Sequence, residues 1–331
     1  MGSTRPRARI HHDPLTGRPV VVAPWRADRP DELAGERITC PFCVGHERLT
    51  PPDVLRTAAA TAGSWRSRIV PNRYPLVGDL GPLDTTSTLA ASFAACPRDT
   101  APQAGGVHEV VIESAAHVAS ILAIPSDDWR AVWELCRHRL ADLADARSVA
   151  WATVFKNSGA AAGASLEHVH SQLVGLEFVP PALAAELAAT AGSADPFGAV
   201  LTAADDDDRV VEQVGDLVAV VPPAPRQPFE AWILPRSPEA FFHETGPDRV
   251  AAVATLSQSI VRRLDRLVPR AAYNWWLHQP PFTHHATPPP RWHWHLEILP
   301  RIHGLAGFEL GTGCHVTTVA AREAAALLRE A

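Results

Sequence analysis

The chain reads as an α+β protein made of two similar halves, each a mostly antiparallel sheet with packed helices. Three observations predict this. The same order of elements runs twice along the 331 residues. Each half holds one long segment with apolar residues spaced three and four apart, the pattern of an amphipathic helix. The segments around it are short, rich in Val, Ile and Trp, and broken by Pro and Gly, as strands are.

In the first half, "RSRIVPNRYP" (66–75) and "GGVHEVVIESAAH" (105–117) read as strands. The helix-like "SDDWRAVWELCRHRLADL" (126–143) follows, with Ser126 expected as its N-cap. Strand-like "AWATVFKN" (150–157) and "HVHSQLVG" (168–175) close the set. The second half repeats it with "GDLVAVVPPAPRQP" (215–228), "FEAWILPRSPEAF" (229–241), a helix over 247–267 that starts on Pro247, "AAYNWWLHQ" (271–279) and "HWHLEILP" (293–300). The expected halves are residues 1–190 and 209–331. Between them stand four consecutive aspartates, 205–208, whose mutual repulsion predicts a solvated loop.

Composition narrows the function. The chain is 46% hydrophobic and 20% charged, a globular balance, with a formal net charge of −6. Its arginines are scattered instead of banded, so no nucleic-acid partner is expected. No apolar run reaches the roughly 18 residues of a membrane span, and the start "MGSTRPRARIHHDP" lacks the apolar core of a secretory signal. A cytoplasmic protein with a small ligand is the expectation. Of five cysteines, Cys96, Cys136 and Cys314 are isolated, while Cys40 and Cys43 form "CPFC". In a chain with no export signal that pair argues for a metal or redox site over a disulfide framework.

The chemistry gathers in "GAAAGASLEHVHSQLVG" (159–175). On a strand, a period of two sends His168, His170 and Gln172 to one face. Histidine can bind metal, accept a proton or attack an electrophile, and a glutamine amide can donate to a phosphoryl oxygen. The glycines of "KNSGAAAGAS" let backbone N–H groups approach an anion, with Asn157 and Ser165 as polar contacts. A tetrahedral site on Cys40 and Cys43 needs two more ligands, with His108, His117 and His168 as candidates, and a redox pair is the alternative. In "RWHWHLEILPR", His293, His295 and Glu297 echo the one-face pattern, with His278 upstream. Arg26 and Arg29 sit in "APWRADRPDE", where they form either a phosphate clamp or a solvated basic loop.

As a set, "VVVAPWRADRP", "CPFC", "VPNRYP", "VFKNSGAAAGASLEHVHSQ", "FEAWILPR", "NWWLHQPPF", "HWHLEILPR" and "AGFELGTG" resemble, in order, the galactose-1-phosphate uridylyltransferase family. This is a branch of the histidine triad superfamily. The resemblance implies two fused histidine-triad-like halves, and it makes His170 the nucleophile that forms a covalent His–NMP intermediate, with Gln172 donating to the transferred phosphoryl group. It implies a structural zinc on Cys40, Cys43, His117 and His168, and leaves His108 outside that set. Asn72 matches a nucleoside contact, Asn157 and Ser165 match contacts to the reacting phosphates, and Arg26 and Arg29 match phosphate-binding arginines. His278, His293, His295 and Glu186 match a second metal site, iron or zinc. The family usually has proline where this chain has Val169, which frees a backbone donor beside the nucleophile.

The implied partners are a nucleotide sugar and a sugar 1-phosphate, by default UDP-glucose and galactose 1-phosphate of galactose metabolism. A phosphorylase acting on an ADP-sugar or a dinucleoside polyphosphate would use the same histidine. A non-catalytic, zinc-stabilised nucleotide-binding protein is the reading from another class. The tail "LAGFELGTG" (305–313) resembles a family segment that meets the sugar, often across a homodimer interface.

Overall fold

A computed structural model describes residues 8–35, 39–59, 64–78, 104–191 and 195–331, so Cys96 lies outside the described residues. Strands β1 (Arg9–His12) and β2 (Pro19–Val22) form a separate antiparallel hairpin. Among the described residues, the other strands join one ten-stranded sheet.

The first half supplies β3 (Leu55–Ala58), β4 (Trp65–Pro71), β5 (Gly106–Ile112), helix α1 (Ser126–Asp145), β6 (Trp151–Ser158) and β7 (His170–Leu176). After helices α2 (Pro181–Ala189) and α3 (Pro196–Asp206) come β8 (Val210–Val214), β9 (Leu217–Val220), β10 (Ala231–Pro235), α4 (Pro247–Leu267), β11 (Tyr273–His278) and β12 (His295–Pro300). Helices α5 (Gly307–Thr312) and α6 (Ala321–Glu330) end the chain. From one edge the order is β3-β4-β5-β7-β6, and from the other it is β8-β9-β10-β12-β11. The duplicated element order of the sequence is thus a duplicated strand order. The two sets meet at β6 and β11, antiparallel, with Ser158 opposite Tyr273.

Alternation along the strands sorts two cores onto the two faces. Ile69, Val111, Leu173, Ile233, Leu296 and Ile298 face α1 and α4 in the main core. Helix α1 turns Trp129, Val132, Trp133, Cys136, Leu140 and Leu143 inward, at the three-and-four spacing read from sequence. Trp129 and Trp133 are fully buried; truncating either to Ala costs about 3–5 kcal/mol. Trp129 Nε1 also donates to Ser257 Oγ of α4 at 3.0 Å, joining the two helices.

On the opposite face the second half is closed. Leu183 of α2 and Phe197 and Leu201 of α3 cover Val218, Val220 and Leu234. In the first half the same face carries Val70, Val110 and Ile112, partly covered by Phe42 of the "CPFC" segment. No helix lies over it among the described residues.

Several local expectations shift. Pro125, not Ser126, occupies the N-cap of α1, and Ser126 makes no capping bond because it is already the first helical residue. Pro247 does open α4. The aspartate run is exposed throughout, yet Asp205 and Asp206 complete the last turn of α3 instead of lying in a loop. Arg236 pairs with Asp205 and Arg329 with Asp208, which offsets the repulsion. Among the described residues no helix is long and apolar enough to cross a membrane.

Candidate active site and metal clusters

Strand β7 starts at His170, two residues later than the alternation suggested, so His168 and Val169 lie in the bend before it. From His170 onward the period of two holds. Ser171 stands opposite Val111 and Gln172 opposite Val110, so Gln172 and His170 face the open side of the sheet.

There they line a cavity of about 370 Å3, with Asn72, Phe42, Ser165 and Arg29 in its wall. An adjoining cavity of about 350 Å3 is lined by Arg26, Arg29, Gly163 and Ser165. The Gly/Ala loop between β6 and β7 makes both possible. Gly159 and Gly163 have φ of +83° and +81°, which side chains disfavour, and a Cβ on Gly159 would meet Ala272 at 2.9 Å. Arg29 Nε donates to Ser165 Oγ at 2.8 Å, and Arg26 Nη1 donates to the Tyr74 carbonyl at 2.6 Å. Burial lowers both arginine pKa values from their ordinary value, yet no carboxylate hydrogen-bonds either guanidinium among the described residues. Asn157 lines neither cavity; its Oδ1 accepts from Asn274 Nδ2 at 2.8 Å, which ties the end of β6 to β11 of the second half.

His170 Nδ1 lies 2.7 Å from the His168 carbonyl. A carbonyl only accepts, so Nδ1 carries the proton and Nε2 keeps its lone pair. Burial, reinforced by the Lys156 charge, pushes the His170 pKa down to about 3, so the ring is neutral at neutral pH. Beneath the strand, Lys156 Nζ donates to Glu113 Oε2 at 2.6 Å and to the His170 carbonyl at 2.8 Å. Ser171 Oγ donates to the other Glu113 oxygen. Lys156 is the chain's only lysine and is completely buried, so it neutralises Glu113 and pins the backbone that carries His170.

Cys40, Cys43, His117 and His168 converge, with their four donor atoms within 4.8 Å of one another. Cys43 Sγ lies 3.3 Å from His117 Nδ1, and Cys40 Sγ lies 3.5 Å from His168 Nδ1. Ligands on a tetrahedral zinc, at bonds of about 2.0–2.3 Å, sit at about these separations. His168 Nε2 donates to the Ser114 carbonyl at 2.9 Å, leaving Nδ1 as the ligand atom. The set can therefore hold a metal ion. His108 is elsewhere, buried on β5 beside Gln172, with Nε2 2.9 Å from Gln172 Oε1.

A second cluster joins Glu186, His278, His295 and Glu297, again within 4.8 Å. It joins Glu297 to three of the four expected residues, Glu186, His278 and His295, while His293 lies outside the cluster. Strand β12 starts at His295, so His295 and Glu297 share a face while His293 lies in the bend before it. His293 Nδ1 donates to the Pro235 carbonyl at 2.7 Å and its ring stacks on Phe197. Glu297 also pairs with Arg226, which is shared with Glu230.

A family profile described as a domain of unknown function (DUF4921) matches residues 100–328. The chain is 30% identical to the ADP-glucose phosphorylase of Arabidopsis thaliana, over 97% of this chain and 92% of that one. It is 25% identical to the galactose-1-phosphate uridylyltransferase of Thermotoga maritima, over 97% and 98%. The chain belongs to the galactose-1-phosphate uridylyltransferase family. Among solved members of that family's fold, an Arabidopsis thaliana ADP-glucose phosphorylase with bound ADP-glucose matches with a TM-score of 0.74 at 29% identity, over 98% of both chains. A solved uridylyltransferase matches with a TM-score of 0.79 at 26% identity, over 97% and 98%. Membership makes this chain an enzyme, a nucleotidyltransferase.

Of the residues that the resemblance matched to substrate contacts and catalysis, Arg29, Asn72, Ser165, His170 and Gln172 line one cavity, Arg26 lines the adjoining one and Asn157 lines neither. Sequence reasoning passed over Lys156, Glu113 and the partner of His108. Only the lone lysine was a visible signal, and its meaning depends on Glu113, 43 residues away.

Proposed function

We propose that the chain transfers a nucleoside monophosphate from a nucleotide sugar to an acceptor phosphate through a covalent bond to His170. The single observation that carries this is the free Nε2 of a neutral, anchored imidazole opening on a cavity flanked by two arginines. Nε2 attacks the α-phosphorus, the bond to the β-phosphate oxygen breaks, and sugar 1-phosphate leaves. The imidazolium formed keeps its Nδ1–H on the His168 carbonyl. An acceptor phosphate oxygen then attacks the same phosphorus and the N–P bond breaks. The leaving group is already a phosphate, so no strong general acid is required. Arg26, Arg29, Asn157, Ser165 and Gln172 hold the phosphates and Asn72 the nucleoside.

Residues 1–190 and 209–331 serve as two triad-like halves, the first catalytic, and a homodimer fits the family. Cys40, Cys43, His117 and His168 would hold zinc; with four protein ligands it would be structural, fixing the His168 carbonyl that orients His170. Glu186, His278, His295 and Glu297 would hold the second ion, iron or zinc.

The higher sequence identity to the ADP-glucose phosphorylase, 30% against 25%, supports an ADP-sugar as donor and inorganic phosphate as acceptor. UDP-glucose with galactose 1-phosphate is the second reading, supported by the uridylyltransferase relatives. Incubation with ADP-glucose or UDP-glucose labelled in the α-phosphate is expected to leave acid-labile, base-stable label on wild type and none on His170→Ala. Release of that label by phosphate or by galactose 1-phosphate then separates phosphorylase from transferase. No label from any nucleotide sugar, or equal labelling of His170→Ala, would leave a non-catalytic nucleotide-binding protein.

A further inference from the structure

We infer that His108 is a positioning residue that decides which end of the Gln172 amide faces the transferred phosphoryl group; this rests on the reading of His170 as nucleophile. The argument starts from a donor that cannot change its role. The Leu76 backbone N–H points at His108 Nδ1 at 2.8 Å. A backbone amide only donates, so Nδ1 holds a lone pair and, in a neutral ring, Nε2 holds the proton. Burial of the ring, with a pKa pushed down to about 4, keeps it neutral.

That Nε2–H lies 2.9 Å from Gln172 Oε1. The amide oxygen of Gln172 is therefore the end held by His108, and its NH2 is left for the cavity that Gln172 shares with His170. Asn72 completes the frame. Its N–H donates to the His108 carbonyl and its Oδ1 accepts from the Tyr74 N–H, both at 2.8 Å. Asn72 Nδ2 lies 3.2 Å from His108 Nε2, but both atoms carry hydrogen, so this is a packing contact and leaves the His108 proton to Gln172. An amide is nearly symmetric in shape, so only its partners choose between its two orientations. With His108 in place, a donor meets the phosphoryl oxygens. Without it, the carbonyl end can turn toward them, and two acceptors repel.

The test uses His108→Ala, His108→Gln, Gln172→Ala and the double Ala variant, reading the single-turnover rate of label transfer to His170, the KM for the nucleotide sugar and the melting midpoint. His108→Ala should slow transfer about 10- to 100-fold with KM changed less than about threefold. The double variant should be no slower than Gln172→Ala. His108→Gln, whose amide nitrogen falls near Nε2, should recover at least about a third of the rate. A wild-type rate in His108→Ala, or losses that add in the double variant, would overturn the inference while leaving the nucleophile reading intact. Absence of label on wild type overturns both. Nitrogen-15 NMR of wild-type protein tests the geometry without relying on any variant to fold: His108 should carry its proton on Nε2, with a resonance that moves in Gln172→Ala, and a proton on Nδ1 would sink the inference.

Discussion

Strands β7 and β12 occupy matching places in the two half-sheets and begin with the same histidine, but they have opposite surroundings. His170 faces a cavity, accepts no carboxylate and has a neutral amide, Gln172, two residues on. His295 faces Glu297, Glu186 and His278 under the cover of α2. Burial lowers the pKa of both rings; around His295 the Glu297 carboxylate, 3.6 Å from Nε2, and the charge of Glu186 overcome it and the net shift is upward. The ladder registers extend the comparison. Glu109 opposite Leu173 matches Ala231 opposite Ile298, so the residues before them, His108 and Glu230, also correspond. His108 holds Gln172, whereas Glu230 and Glu297 clamp Arg226. A duplicated backbone thus fixes where a histidine sits, and the charge of its neighbours decides whether it can attack phosphorus. In the first half the carboxylate beneath β7, Glu113, is turned to the other face and paired with Lys156.

The two metal clusters sharpen this contrast most. Cys40→Ser removes a thiolate from the first cluster only. The expected outcome is loss of about one bound metal per chain and about 4–6 kcal/mol of stability, read by metal analysis and urea denaturation. Metal content unchanged from wild type would show that the cluster does not bind as a unit. Next in size is Lys156→Met, which leaves Glu113 charged and buried beside Ser171. It should cost about 3–5 kcal/mol, and Lys156→Met with Glu113→Gln should recover much of that, because the penalty is the unpaired charge. A double variant as unstable as the single would mean that Lys156 acts through packing.

How much of this was legible in the sequence depends on distance along the chain. The repeat, the two long helices and most strands follow from local periodicity, and that sufficed for the fold class. Helices α2 and α3 were hidden because residues 181–206 are rich in Ala and Pro, and their apolar side chains make sense only against Val218, Val220 and Leu234, on strands further along. His293 lies two residues before β12 as His168 does before β7, but its ring is turned to the Pro235 carbonyl and Phe197, contacts that no local pattern encodes. The site residues were legible where one segment carried them, as with His170 and Gln172. The pairs Lys156–Glu113 and His108–Gln172 were not, since pairing across strands is set by register and no local pattern encodes it.

The last difference to test is the burial of His108 beside Gln172, through acid stability. Burial lowers the pKa of folded His108 to about 4, against about 6.5 in an unfolded chain. Between these values the unfolded chain binds the extra proton and the folded chain does not. Stability from this group is therefore complete above about pH 6.5 and is lost as pH falls toward 4, at up to about 1.4 kcal/mol per pH unit. Urea denaturation of wild type and His108→Gln from pH 7 to pH 4.5 isolates the effect, since every other titrating group is common to both proteins. The difference in unfolding free energy between them should change by about 1.4 kcal/mol per unit below pH 6. A constant difference across that range would mean that His108 takes its proton in the folded state, and with it that the ring is not held neutral against Gln172.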